Sequence, residues 1–271
     1  MPMRHPYFDL PLPIPVGHRG ASGELPENTL PAFRRALEQG ALILETDVHP
    51  SLEGVPVIFH DHELDRTSDG VGPIARQPLD ALRALDAGHR FSPDGGRSFP
   101  CRGQGIGIPT LEEAFAAFPD ARFNIEIKEG DRAFIERVVK LVATGGRERR
   151  TLLTAAEDEV MAELHAVLHA IGVDVAIGAS TGDCVAFVKA ASQDAAPPSE
   201  PMALQIPAQF GGRPLVTPEL VSFAHAHDVQ IHVWTVNEPA EIERLLALGV
   251  DAVMSDFPAR VVEAIRRRRG R

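Results

Sequence analysis

Ala41-Leu42-Ile43-Leu44-Glu45-Thr46-Asp47-Val48 and Val55-Pro56-Val57-Ile58-Phe59-His60 are two apolar runs of strand length, separated by a break that includes Pro50–Gly54. So short a break cannot hold a parallel crossover, which takes about a dozen residues. The second run must therefore fold back antiparallel as a hairpin, returning His60 toward the strand end that carries Glu45 and Asp47. With it set aside, eight β-type runs remain: Ile14–His18, Ala41–Val48, Phe123–Lys128, Thr151–Ala155, Val173–Ala179, Ala203–Pro207, Gln230–Val236 and Ala252–Asp256. Amphipathic patterns at Asn28–Gln39, Leu111–Ala117, Asp131–Thr144, Asp158–Ile171, Pro218–His227 and Pro239–Leu248 lie between them. Such alternation implies parallel strands with right-handed crossovers, and eight strands in a chain of 271 residues match an α/β fold of the (β/α)8 TIM-barrel type. One domain is expected to span residues 1–271.

Asp61–Ile108 fits no barrel element. It is long, polar and rich in Gly and Pro, with a short helix expected at Asp80–Asp86, and reads as an insertion or lid before the third strand. Ser192–Pro201 reads as a surface connection, and Arg266–Arg269 as a solvated extension of the last helix.

A net charge of −11 argues against general binding to nucleic acid or anionic membranes, and one Trp and one Tyr make a base-stacking platform implausible. A phosphate ligand stays compatible with that charge if a cation and a few local bases reverse it inside the site. Two cysteines, Cys101 and Cys184, are no disulfide framework and are expected to be reduced thiols. Met1–Pro15 holds five prolines and no continuous apolar stretch, so neither a signal peptide nor an anchor is expected there. The expected location is cytoplasmic, without a stable membrane anchor.

The polar residues cluster at strand ends, which is where barrels of this type place their chemistry. His18 and Arg19 end the first strand, Glu45 and Asp47 the second, Glu126 and Lys128 the third, and Trp234 the seventh. Residues two apart on a strand share a face, so Glu45 pairs with Asp47 and Glu126 with Lys128. Three carboxylates without a neighbouring cysteine are hard oxygen ligands suited to one divalent ion, Mg2+ or Ca2+. The bland alternative is a set of structural ion pairs with Arg19 and Lys128. His18 and His60 are suited to general acid–base work near neutral pH, while Arg19 and Lys128 can hold non-bridging phosphate oxygens. This inventory points to metal-assisted phosphoryl transfer. His165, His169, His225 and His227 fall on helices and are expected to face solvent, and nothing pairs His49, His62, His89 or His232 with the cluster. Gly103–Gly107 follows no strand and opens no helix in register, so it is not a nucleotide loop.

These segments resemble the glycerophosphodiester phosphodiesterase family. The matching stretches, in the family's order, are Gly17–Thr29, Leu44–Val48, Val55–Asp61, Leu64–Thr67, Ile108–Glu113, Asn124–Lys128, Val233–Asn237 and Ser255–Pro258. The resemblance implies hydrolysis of glycerophosphodiesters to glycerol 3-phosphate and an alcohol. It implies His18 and His60 as the acid–base pair, Glu45, Asp47 and Glu126 as ligands of a Ca2+ or Mg2+ ion, and Arg19 and Lys128 on the phosphate. Trp234 would touch the glycerol side, and the Asp61–Ile108 insertion would cap the barrel. Which histidine is the acid, and whether water or a neighbouring glycerol hydroxyl attacks, stay open.

Three other readings were weighed. A lysophospholipase D-type enzyme would use the same centre and would need an apolar rim near the insertion, for which Phe91, Phe99 and Ile106 are the candidates. A non-enzymatic phosphate-binding module has no need of two histidines and three carboxylates. Sugar isomerisation or enolase-type chemistry rests on fold analogy alone.

Overall fold

The computed structural model describes residues 5–193, 195–199 and 201–270. In chain order the elements begin with β1 (Ile14–Gly17), α1 (Leu30–Glu38), β2 (Ile43–Pro50), β3 (Pro56–Ile58), α2 (Leu79–Arg83) and α3 (Leu111–Ala117). Next come β4 (Arg122–Ile127), α4 (Arg132–Thr144), β5 (Thr151–Thr154), α5 (Asp158–Ile171), β6 (Ala176–Ile177) and α6 (Thr181–Gln193). The last part comprises β7 (Ala203–Pro207), β8 (Gln209–Phe210), β9 (Arg213–Pro214), α7 (Pro218–Ala226), β10 (Gln230–Trp234), α8 (Pro239–Leu248), β11 (Ala252–Ser255) and α9 (Pro258–Arg269).

Eight parallel strands run around the sheet in the order β6-β5-β4-β2-β1-β11-β10-β7, and β3 pairs antiparallel with β2, as the short connection at Pro50–Gly54 requires. Between β6 and β7 there is no ladder. There the Met202 N–H donates to the Ile177 carbonyl at 3.1 Å, which nearly closes the barrel. The expected strand Val173–Ala179 shortens to two residues at this seam. Gly178 lies so close to Thr154 that a Cβ there would sit 2.8 Å from the Thr154 hydroxyl, and the chain turns off the sheet.

Helices pack outside the barrel in two apolar clusters. One joins Phe33, Phe115, Phe123, Ile135 and Val139 on the side of β2 and β4, and the other joins Phe187, Ile231, Ile242 and Val261 on the opposite side. Burial of this kind contributes roughly 1.5–3 kcal/mol for each large side chain. Ends are marked by local chemistry. Thr29 caps α1, Thr110 and Glu113 form a capping box on α3, and Asp131 caps α4. The helix α6 was not expected from the pattern. Phe187 and Ala190 are its fully buried positions, so its apolar period is weak, and Ser180 and Asp183 bond reciprocally at its start.

Tyr7 and Phe8 close the N-terminal end of the barrel, buried against Ile14, Val16, Leu152, Ala176 and Met254. The stretch before β1 is therefore core as well as connection, its first four residues lying outside those described. The Asp61–Ile108 segment packs a small core of Leu64, Ile74, Leu82 and Ala87 against Val57 and Phe59. The expected connection at Ser192–Pro201 contains residues 194 and 200, which lie outside those described. Among the described residues no helix is long and apolar enough to cross a membrane. Cys101 and Cys184 are both free.

Candidate functional site

The loop after β1 sets the geometry of the barrel mouth. Arg19 has φ 53°, Gly20 φ 86° and Asn28 φ 58°, three left-handed residues that fold 18–28 back over the strand ends. A Cβ on Gly20 would lie 2.6 Å from the carbonyl carbon of Ala32, so this close turn admits only glycine. Asn28 donates from its amide to Asp47 Oδ2 at 2.8 Å and accepts from the Thr46 hydroxyl at 2.8 Å. The strain of two non-glycine left-handed residues is thus offset by bonds to the acidic strand.

In the sheet, Asp47 on β2 stands opposite Glu126 on β4, and Glu45 stands opposite Asn124. Lys128 Nζ lies 3.0 Å from both Asp47 Oδ1 and Glu126 Oε2. Glu45 accepts from the Arg19 backbone N–H at 2.9 Å, and the Arg19 guanidinium reaches Glu27 at 2.9 Å. Arg19 Nε, 3.5 Å from Asp47, is buried without a hydrogen-bond partner. Burial, together with the charge of Asp47, pushes the Glu45 carboxyl up to about 7, against the pull of His18 and Arg19. Burial also works against ionised Asp47, but Lys128 and Arg19 prevail and hold its carboxyl below the usual range.

The two histidines are braced alike. His18 Nδ1 lies 2.7 Å from Asp256 Oδ1, and His60 Nδ1 lies 2.5 Å from Asp61 Oδ1. In both rings Nε2 is the nitrogen left for proton exchange. Asp256 also accepts from the Ser22 hydroxyl at 2.8 Å and from the Asn237 amide at 2.6 Å. On the other side Arg66 links Asp61 to Glu27, which in turn holds Arg19. The rings differ in charge preference. Burial lowers the His18 pKa, but the hydrogen bond to Asp256 and the nearby Glu45 outweigh it and the result is raised. For His60 burial is again the largest effect, and with Lys128 and Arg19 close by it wins over Asp47, so the pKa is lowered.

Trp234 ends β10 and shares with Glu126 the wall of a cavity of about 520 Å3. Val185, Val188, Ile206, Phe210 and Leu215 give that wall a large apolar face, with Lys189, Gln205 and several Ser and Thr residues making up its polar part. Of the candidates for the apolar rim that the lysophospholipase reading would need, Ile106 packs into the insertion, and Phe99 is exposed with the Arg102 guanidinium over its ring at 4.1 Å. The apolar surface beside the carboxylates instead comes from α6 and from the β8–β9 hairpin, neither of which the sequence reading anticipated.

All eight residues singled out in the sequence therefore stand around this mouth. Asp256, Asp61, Glu27, Asn28, Arg66 and Asn237 were not singled out as site residues. Asp256 was findable, because it follows the last strand and that strand is the neighbour of β1. Two expectations about histidines need correction. His225 is not merely solvated, since Nε2 meets the buried Asp251 at 2.9 Å. His49 is attached to the cluster, because its Nε2–H donates to the His60 carbonyl at 3.0 Å.

The donor set fits a hard divalent ion. Glu45, Asp47 and Glu126 supply oxygen only, and the carboxyl of Glu45 is held up by burial and by the charge of Asp47. Lys128 pairs with both Asp47 and Glu126, as the ion-pair alternative expects, and the oxygens of Glu45, Asp47 and Glu126 do not all lie within 4.8 Å of one another.

A family model described as the glycerophosphoryl diester phosphodiesterase family matches residues 18–260. The glycerophosphodiester phosphodiesterase of Caldanaerobacter subterraneus subsp. tengcongensis is 29% identical over 262 residues, covering 93% of this chain and 97% of the relative. Human lysophospholipase D GDPD1 is 28% identical over 269 residues, covering 91% of this chain and 84% of its own. Among solved structures, an Oleispira antarctica phosphodiesterase in complex with the product sn-glycerol-3-phosphate superposes with a TM-score of 0.72 at 27% identity, over 96% of this chain and 99% of that one.

Proposed function

The chain belongs to the glycerophosphoryl diester phosphodiesterase family, and from that premise we propose that His18 and His60 carry out acid–base hydrolysis of a glycerophosphodiester, giving glycerol 3-phosphate and an alcohol. The observation that carries the assignment is the bracing of both rings through Nδ1, His18 by Asp256 at 2.7 Å and His60 by Asp61 at 2.5 Å, beside the carboxylates and bases of the barrel mouth; the raised His18 pKa and the lowered His60 pKa agree with it. Residues 1–271 act as one catalytic domain in this reading, the 61–108 insertion included.

The phosphodiester binds with its non-bridging oxygens toward the Arg19 guanidinium and Lys128. His60 Nε2 takes the proton of the attacking oxygen: water gives glycerol 3-phosphate directly, whereas the neighbouring glycerol hydroxyl gives a cyclic phosphate that water must then open to glycerol 3-phosphate. His18 gives its proton to the departing alcohol oxygen as the phosphorus–oxygen bond breaks. Asp256 and Asp61 hold the two rings in the tautomer that leaves Nε2 for this exchange. Glu45, Asp47 and Glu126 hold one divalent ion, Mg2+ or Ca2+. When bound, that ion supplies charge neutralisation of the phosphodiester. Trp234 lies beside the organic portion of the substrate.

The assay is glycerol 3-phosphate release from glycerophosphocholine by protein stripped with chelator and then given Mg2+ or Ca2+. Release restored by either ion supports the reading, and no release with either ion overturns it for this substrate. A second reading, lysophospholipid hydrolysis at the same centre, is favoured by the apolar cavity beside Glu126 and Trp234. Choline release from lysophosphatidylcholine measures it in parallel.

A further inference from the structure

His49, His62 and Glu129 form a cluster that the reaction above does not use. His49 is fully buried at the end of β2, Glu129 follows Lys128 after β4, and His62 stands exposed at the start of the insertion. Their candidate ligand atoms all lie within 4.8 Å of one another. His49 Nδ1 is 2.8 Å from Glu129 Oε1, and His62 Nδ1 is 3.3 Å from Glu129 Oε2. Tetrahedral ligands at about 2.0–2.1 Å from zinc stand roughly 3.3 Å apart, which the His62–Glu129 separation matches, while the 2.8 Å His49–Glu129 contact, made to the other carboxylate oxygen, would open by about 0.5 Å on binding.

The hydrogen bonding of His49 points the same way. A carbonyl oxygen can only accept, so the bond to the His60 carbonyl fixes the hydrogen of His49 on Nε2. In the neutral ring Nδ1 is then a lone pair facing a carboxylate oxygen. Two acceptors at 2.8 Å need a positive charge between them, either a proton or a cation. A ring whose outer N–H is anchored on a backbone carbonyl while its other nitrogen points at a carboxylate has the usual outer-shell arrangement of a metal-ligating histidine.

We propose that His49, His62 and Glu129 bind a divalent ion of the zinc class, separate from the Mg2+ or Ca2+ position on Glu45, Asp47 and Glu126. Two imidazoles and one carboxylate select borderline transition metals over hard oxygen-seeking ions. The exposed His62 leaves the remaining coordination position to water. Through the His49–His60 bond this ion ties down the chain at His60, so it acts on position and not on the reacting atoms. The binding claim does not depend on the hydrolytic assignment.

The test is a zinc titration of the full chain by calorimetry in excess Mg2+, repeated with Co2+ followed by its visible absorption. Wild-type protein should take up one equivalent of Zn2+ beyond the Mg2+, with a nitrogen-ligated tetrahedral Co2+ spectrum. His62→Ala and Glu129→Gln, both away from the core, should weaken Zn2+ by more than about 100-fold, beyond the loss expected for an outer-shell partner. Glu126→Gln should leave that equivalent in place. The proposal falls if wild-type protein takes up no zinc in excess Mg2+. It falls equally if uptake is untouched by His62→Ala, or is lost in Glu126→Gln while His62→Ala retains it. Circular dichroism of each variant separates lost binding from lost fold.

Discussion

Asp256→Asn removes one charge and leaves the shape nearly unchanged. Asp256 is 27% exposed, and burial opposes its ionisation, yet His18, Asn237 and Ser22 hold its carboxyl down to about 2 from 3.8. That difference corresponds to roughly 2.4 kcal/mol net, and the three partners together supply more than this because burial opposes them. If somewhat under half belongs to His18, about 1 kcal/mol of support for the imidazolium disappears, a five- to tenfold effect. His18 has a raised pKa, so the stability its pairing contributes is complete below the unfolded value and is lost as pH rises through the folded one. The contribution of Asp256 has the opposite sense: it is complete above 3.8 and is lost as pH falls through about 2. In the variant, the alkaline limb of kcat/KM for glycerophosphocholine should move to lower pH, with activity on that limb reduced about five- to tenfold, while the acid limb stays in place. The fold should also weaken. Asn237 cannot turn its amide, because its oxygen accepts from the Ser255 hydroxyl at 3.0 Å and the Asp256 N–H at 2.9 Å. The new asparagine has a single acceptor oxygen for two donor-facing positions, so its NH2 must face either the Asn237 NH2 or the donors His18 and Ser22, at a cost of about 1–3 kcal/mol seen as a lower melting temperature. An alkaline limb that does not move would refute the claim that Asp256 keeps His18 protonated.

His18→Ala and His60→Ala should each lower turnover by about 10²–10⁴-fold with an unchanged circular dichroism spectrum, and wild-type rates in both would end the acid–base assignment. Gly20→Ala forces a Cβ to within 2.6 Å of the Ala32 backbone at φ 86°, and should cost at least about 1–3 kcal/mol in a urea titration. An unchanged midpoint would show that the loop after β1 relaxes freely. Val185, 64% exposed on the cavity wall, can be changed to Glu without touching the core. Val185→Glu should raise KM for lysophosphatidylcholine about tenfold or more and leave glycerophosphocholine nearly unaffected, since a charge is costly beside an acyl chain. Equal effects on both substrates would detach that cavity from chain binding.

The barrel was legible because its determinants are short-range. Strand and helix periods recur along the chain, and the break at Pro50–Gly54 left β3 no choice but to fold back. Where burial did not follow a period, the reading failed. The helix α6 packs through few apolar residues, β6 is cut to two residues by the contact of Gly178 with Thr154, and β8–β9 is a four-residue ribbon with no pattern to detect. Of these elements α6 and β8 contribute Cys184, Val185, Val188 and Phe210 to the apolar side of the cavity.

Sequence alone determined which residues could meet at the mouth, because alternation places Glu45 with Asp47 and Glu126 with Lys128 whatever the rest of the chain does. Tertiary structure alone decided their electrostatic state. His18 is drawn toward its charged form by Asp256, 238 positions away, and His60 is held toward its neutral form by burial beside Lys128 and Arg19. Likewise His49 meets Glu129 across 80 positions. Charge interactions depend on distance and burial in space, and no local pattern encodes either, so the division of labour between two identical side chains appears only once the sheet has closed.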